Sequence, residues 1–192
     1  MIPPSRGEGL PSPAVPFPRR RSTGRRNAPG KAGKRPAPRE VYRIFFLDGP
    51  NLNVLGKREP QVYGRKTLAE IRREVSEAAR KEGASVNFFQ SNHEGEIVTR
   101  LQAARESADG LVINPGGYTH SSVAIRDALI YAGLPVVEVH LSNLARREPF
   151  RRQSLIEDVA IGRIAGFGGF GYVLALYAIL DHLRGEGGIG PT

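Results

Sequence analysis

Leu47-Asp48-Gly49-Pro50-Asn51-Leu52-Asn53-Val54-Leu55-Gly56-Lys57-Arg58-Glu59-Pro60-Gln61-Val62-Tyr63-Gly64 follows directly on an apolar run, Val41 to Leu47. Gly-Pro-Asn after such a run marks a sharp exit from a β-sheet. Asn51, Asn53, Arg58 and Tyr63 then come close together. Open α/β sheets bind ligands in loops at the carboxyl ends of their parallel strands, and this loop has the composition for that. A surface loop punctuated by Gly and Pro is the plainer reading of the same residues. The remaining segments bear on that choice.

Downstream, strand and helix patterns alternate. Thr67-Leu-Ala-Glu70 is a capping-box signature that opens a helix. Leu68, Ile71, Val75, Ala78 and Ala79 recur on one face of it, and Gly83 stops it. Ala84 to Gln90 reads as a second strand. A helix beginning near Asn92–Glu94 carries Ile97, Leu101, Ala104 and Ala108 at helical spacing. Gly110 to Ile113 is a short, wholly apolar strand, as buried parallel strands read. Asn114 to His120 reads as a loop, and a helix runs from about Ser121 to Ala132. Pro135 to Val139 is a fourth strand. Residues 141–158 form a long polar, Arg-rich connection. Ile161 to Ala165 is a weak fifth strand, and Phe170 to Leu183 is a last helix apolar enough to be well covered. Such alternation implies parallel βαβ units. Five strands favour a flavodoxin-like, doubly wound α/β fold: a parallel sheet of order 2-1-3-4-5 with helices on both faces.

That order makes strands one, three and four neighbours, so the loops at their carboxyl ends meet in one crevice. Strand one supplies Asn51, Arg58 and Tyr63. Strand three supplies Asn114, a Gly pair and His120. Strand four supplies Glu138, then His140, Leu141, Ser142, Arg147 and Arg151. Taken singly, a histidine after a strand can be structural, Tyr63 can pack its ring on the sheet end, and the arginines can be a solvated face. The functional case rests on the convergence of three loops. The crevice lacks a paired Asp/Glu metal cage, a GxGxxG turn and a Walker lysine, so neither a metal nor a nucleotide cofactor is expected.

The 192 residues carry a formal net charge of +9. Residues 1–40 hold ten Lys/Arg against Glu8 and Glu40, and nine of the fifteen prolines. The high charge therefore belongs to the amino-terminal segment and not to the body that follows. Its proline density and scarcity of large apolar residues predict disorder. A basic arm touching nucleic acid or membrane is the functional alternative to a dispensable extension. Without aromatics interleaved among its arginines, the extension is preferred. The chain thus divides into a basic extension (1–40), a folded domain (41–185) and a flexible tail (186–192). No cysteine is present, which removes disulfides and thiolate metal sites and suits the cytoplasm. The apolar run Val173 to Leu180 is too short to span a bilayer.

The blocks Gly49-Pro50-Asn51-Leu52-Asn53, Leu55-Gly56, Arg58-Glu59-Pro60 and Tyr63-Gly64 resemble the opening signature of type II 3-dehydroquinate dehydratases. Asn114-Pro-Gly-Gly-Tyr-Thr-His120, Arg126-Asp127, Glu138-Val-His140-Leu-Ser142-Asn143 and Phe150-Arg151-Arg152-Gln153-Ser154 resemble that family's later blocks, in the same order. The likeness covers residues 42–184. It implies dehydration of 3-dehydroquinate to 3-dehydroshikimate, a step of the shikimate route to chorismate and the aromatic amino acids. The proton alpha to the ketone is lost, an enolate forms, and the C1 hydroxyl leaves as water. The resemblance further implies a role for each matching position. Tyr63 is the base, working as tyrosinate beside Arg58. His140 is the acid, held by Glu138. Asn51 fixes a water on the enolate. Asn114 and the Leu141–Ser142 backbone hold the substrate carboxylate, and His120 and Arg151 bind ring hydroxyls. Asp127 reaches in from a neighbouring subunit of a homododecamer, a tetramer of trimers.

The residue types suit that chemistry. An unperturbed tyrosine titrates near ~10, so a close guanidinium is needed to make it a base at neutral pH. A protonated histidine can donate to a leaving oxygen. The Gly56–Lys66 segment has the glycines and length of a lid. A Schiff-base route is excluded, because Lys31, Lys34, Lys57, Lys66 and Lys81 all lie away from the ends of core strands. A receiver-like signalling module needs an acidic cluster after strand one, where only Asp48 stands. A flavin binder needs a Ser/Thr-rich phosphate loop in the same place.

Overall fold

The computed structural model describes residues 41–57 and 65–185. Five parallel strands form one sheet in the order β2-β1-β3-β4-β5. They are β1 (Tyr42–Asp48), β2 (Ala84–Gln90), β3 (Gly110–Asn114), β4 (Val136–His140) and β5 (Gly162–Ala165). The helices are α1 (Leu68–Lys81), α2 (Glu94–Ser107), α3 (Val123–Ala132) and α4 (Phe170–Arg184). This is the flavodoxin-like arrangement expected from the alternation of patterns.

Burial explains the strand order. β3 and β4 are buried along their whole length and β1 from Ile44 onward, so their residues face protein on both sides. β2 alternates half-buried with exposed positions over its first five residues, as an edge strand does. Successive side chains of β1 feed opposite cores. Ile44 and Phe46 pack with α1 and α4, and Phe45 and Leu47 pack with α2 and α3.

The expected capping box opens α1. The Glu70 amide donates to Thr67 Oγ1 at 3.2 Å, and the Thr67 amide donates to the Glu70 carboxylate at 2.8 Å. The buried face of α1 is the expected set Leu68, Ile71, Val75, Ala78 and Ala79. Three features differ from expectation. Gly116–His120 is a 3-10 turn, so α3 begins at Val123 with Ser122 as its cap. The connection after β4 contains two further short turns, Leu144–Arg146 and Pro149–Arg151. The last helix buries one face and leaves Phe170 and Tyr177 exposed.

Register sets the crevice. Asp48 pairs with Asn114 across β1 and β3, and Ile113 pairs with Glu138 across β3 and β4. The three strands therefore end at nearly one level. Just beyond them two loops touch backbone to backbone. The Gly49 amide donates to the Asn114 carbonyl at 2.7 Å. A Cβ at Gly49 would lie 2.2 Å from the Pro115 carbonyl oxygen. A Cβ at Gly116, where φ is +61°, would lie 3.0 Å from the Pro50 carbonyl oxygen. Gly49→Ala should therefore cost about 1–3 kcal/mol, the usual penalty for overpacking, because backbone and not a flexible side chain must move. Urea denaturation measures it; a cost near zero means the two loops are not locked together.

Candidate active site

The crevice at the carboxyl ends of β1, β3 and β4 encloses about 160 Å³. Asn51, Asn114, His120, His140, Leu141, Ser142 and Arg151 all line it, as the convergence of loops requires. Leu52, Leu55 and Leu144 supply apolar walls, and Arg147 joins Arg151 on the rim. Arg58 and Tyr63 lie outside the described residues, as do the segments 1–40 and 186–192 and most of the stretch read as a lid.

Asn51 has left-handed backbone at φ 67°, a conformation that asparagine tolerates better than most residues. Its amide donates to Asn92 Oδ1 at 2.9 Å, which ties the loop to the end of β2. His120 closes the turn after β3, with Nδ1 2.7 Å from the Gln153 carbonyl. Arg151 is held by Glu148 at 2.9 Å and lies over the Phe150 ring. Asp127 stands apart: it is exposed on α3 and does not line its own chain's crevice.

The strongest electrostatic feature is Glu138. It lies on β4 with no solvent exposure, and its carboxylate meets His140 Nε2 at 2.7 Å. Ser154 Oγ reaches both carboxylate oxygens, at 3.0 and 2.9 Å, and Thr119 Oγ1 donates a short hydrogen bond to one of them. Burial pushes the carboxyl up. The hydrogen bond and charge of His140, with the two hydroxyls, outweigh burial and hold it below its ordinary value. With Nε2 engaged, Nδ1 is the imidazole nitrogen left for a ligand in the crevice. An imidazole oriented by a buried carboxylate is built to exchange a proton at a fixed point.

Thr119 and Ser154 were not singled out from the sequence. Both sit inside blocks that carried the resemblance, but a hydroxyl's role depends on a partner distant in the chain. Among the described residues no group of three or more His, Asp and Glu side chains stands at metal-ligand spacing.

The dehydroquinase class II family model matches residues 42–180, the whole sheet with its crevice. The chain belongs to that family. Relatives agree across nearly their full length. A 3-dehydroquinate dehydratase of Mesorhizobium japonicum is 53% identical over 141 residues, 73% of this chain and 98% of that protein. Catabolic 3-dehydroquinase 1 of Neosartorya fischeri is 53% identical over 133 residues, 69% and 89%. The crystal structure of type II dehydroquinase from Butyrivibrio crossotus aligns with a TM-score of 0.70 at 42% identity, covering 72% of this chain and 97% of that one. In this chain the hydrogen-bonded cluster at Glu138 stands on β4, the strand that ends in His140.

The sign of the Glu138 shift fixes a pH dependence. A carboxyl held low when folded stabilises the fold above the ordinary carboxylate range, and that stability is lost as pH falls through the folded value. Ser154→Ala removes a charged hydrogen bond, so it should cost about 1.5–3 kcal/mol near neutrality. It should also move the acid-side loss of stability to higher pH. Urea midpoints taken between about pH 3 and 7 report both. If parent and variant curves fall in parallel, Ser154 does not hold the carboxylate charge.

Proposed function

We propose that this protein dehydrates 3-dehydroquinate to 3-dehydroshikimate in the shikimate pathway, without metal or organic cofactor. The observation that carries the reading is His140 held on a buried carboxylate at the end of β4, in a crevice otherwise lined by amides, arginine and imidazole.

The reaction divides among the crevice groups. Tyr63, as tyrosinate, takes the proton alpha to the ketone, and the electron pair moves into an enolate. Arg58 holds the tyrosinate charge, since a guanidinium stays protonated and will not accept the proton itself. Asn51 orients a water that donates to the enolate oxygen. The enolate then re-forms the ketone while the C1 hydroxyl departs, taking a proton from His140. Glu138 balances the imidazolium before the transfer and orients the ring afterwards. Asn114 and the backbone at Leu141–Ser142 receive the substrate carboxylate, and His120 and Arg151 the ring hydroxyls. The apolar wall of Leu52, Leu55 and Leu144 keeps the enolate from bulk water. Residues 41–185 are the catalytic unit and residues 1–40 a dispensable extension. Among the described residues no helix is long and apolar enough to cross a membrane, and a cytoplasmic location belongs to the same reading.

The assembly is a homododecamer, a tetramer of trimers, in which Asp127 serves a neighbouring crevice. Val123, Asp127, Ile130 and Tyr131 recur at helical spacing along α3, and all four are exposed. An apolar stripe with a carboxylate in its middle is suited to covering by another subunit.

Purified protein should convert 3-dehydroquinate to a conjugated enone that absorbs in the ultraviolet, and chelator should leave the rate unchanged. Tyr63→Phe should lower kcat by about 10²-fold or more, within the range of a lost general base, with KM little altered. Loss of activity on chelation, restored by a divalent ion, rules out the metal-free route. A parental rate in Tyr63→Phe means the base lies elsewhere. An active monomer in light scattering refutes the shared site.

A further inference from the structure

Behind the crevice a second buried polar chain ends at Asn114, and the reaction assigns its other members no role. Tyr172 on α4 is 2% exposed and stacks on Phe46 of β1. Its hydroxyl donates to Asp48 Oδ1 at 2.7 Å and accepts from Asn114 Nδ2 at 2.9 Å. Asp48 has no solvent exposure, and its other oxygen accepts from Arg72 Nη2 at 3.0 Å. These residues come from β1, β3, α1 and α4.

We propose that Tyr172, set by Asp48, is a positioning residue that fixes the side-chain amide of Asn114 for the substrate carboxylate. The inference rests on the reading of Asn114 given above. A phenol has one proton, and a carboxylate can only accept. Because Asp48 takes that proton, Tyr172 offers Asn114 only an acceptor. The amide must then turn its NH2 group, and not its oxygen, toward Tyr172. The oxygen is engaged too, accepting from the Gly116 amide at 3.2 Å. Both ends of the amide are fixed, and Nδ2 keeps one N–H that no described group uses. Asn114 lines the crevice, so this remaining donor meets the ligand with its direction set beforehand. An anionic carboxylate is the acceptor that such a donor suits. Without the Tyr172 hydroxyl only the 3.2 Å bond from the Gly116 amide holds the side chain, and the amide is freer to rotate and present its oxygen, which repels a carboxylate.

A double-mutant cycle on the full chain tests this, with kcat and KM for 3-dehydroquinate as readouts and melting curves as the check on folding. Asn114→Ala should raise KM about tenfold, as loss of a charged hydrogen bond does. Tyr172→Phe keeps the ring and should raise KM by about three- to tenfold while kcat stays within about twofold. The double variant should be no worse than Asn114→Ala alone, because Tyr172 acts through that amide. An unchanged KM in Asn114→Ala overturns the reading of Asn114. A raised KM there, with Tyr172→Phe silent or multiplying the effect, overturns the positioning role alone. Asp48→Leu approaches from the other side: it frees the phenol proton to turn toward Asn114 Oδ1. It should raise KM with kcat retained, and an unchanged KM in folded Asp48→Leu protein also overturns the proposal.

Discussion

A carboxylate with no access to water has to be matched by donors, and Glu138 recruits them from separate parts of the chain. His140 comes from the same strand, Thr119 from the turn after β3, and Ser154 from the connection after β4. An isolated buried charge is too costly to persist, so these groups are held as firmly as the charge is. The Thr119 and Ser154 hydroxyls also lie 3.2 Å apart. The demand that fixes the imidazole also ties together the turn after β3 and the connection after β4. On the proposed mechanism, stability and catalysis draw on one network.

The sheet makes this possible by ending three central strands at one level. β1, β3 and β4 share a buried middle, and their outgoing loops have nowhere to turn except over one another. Gly49 and Gly116 let the first two loops meet without side chains between them. That contact brings Asn51 and Asn114 to one cavity, and β4 adds His140 beside them. The second polar chain, from Arg72 through Asp48 and Tyr172 to Asn114, ties α1 and α4 to the same floor. Burial pushes Asp48 up, while its bonds to Tyr172 and Arg72 oppose that. Two carboxylates thus sit under the crevice in opposite regimes, Glu138 held low and Asp48 raised.

Much of this was legible in the chain, and the reasons are local. Thr67 and Glu70 announce α1 because a capping box needs only a spacing of three. Leu68, Ile71 and Val75 reveal its buried face because helical period is a sequence property. β3 reads as buried because Gly110 to Ile113 is apolar without interruption. The short turns at Gly116–His120, Leu144–Arg146 and Pro149–Arg151 were hidden, since stretches rich in Gly, Pro and Arg look alike whether or not they close a turn. Asn51, Asn114, His120, His140, Leu141, Ser142 and Arg151 were found because each lies at or after a strand end, whereas the lining residues Leu52, Leu55 and Leu144 pass for ordinary core leucines. Thr119, Ser154 and Tyr172 were not found. Thr119 and Ser154 pass for ordinary loop hydroxyls, and Tyr172 for one more aromatic in an apolar helix. Their partners lie 16 or more residues away, at Glu138, or 124 away, at Asp48. Only tertiary structure reveals such pairs.

The most direct measurement is a crystal structure of the protein with 3-dehydroshikimate bound. The expected result has the product carboxylate on the Asn114 amide and the Leu141–Ser142 backbone. Its C1 carbon, where the hydroxyl left, should face His140 Nδ1, with Glu138 still on Nε2. A product seated with its carboxylate on the Arg147–Arg151 rim, or with C1 turned away from His140, contradicts the assignment of His140 as the acid.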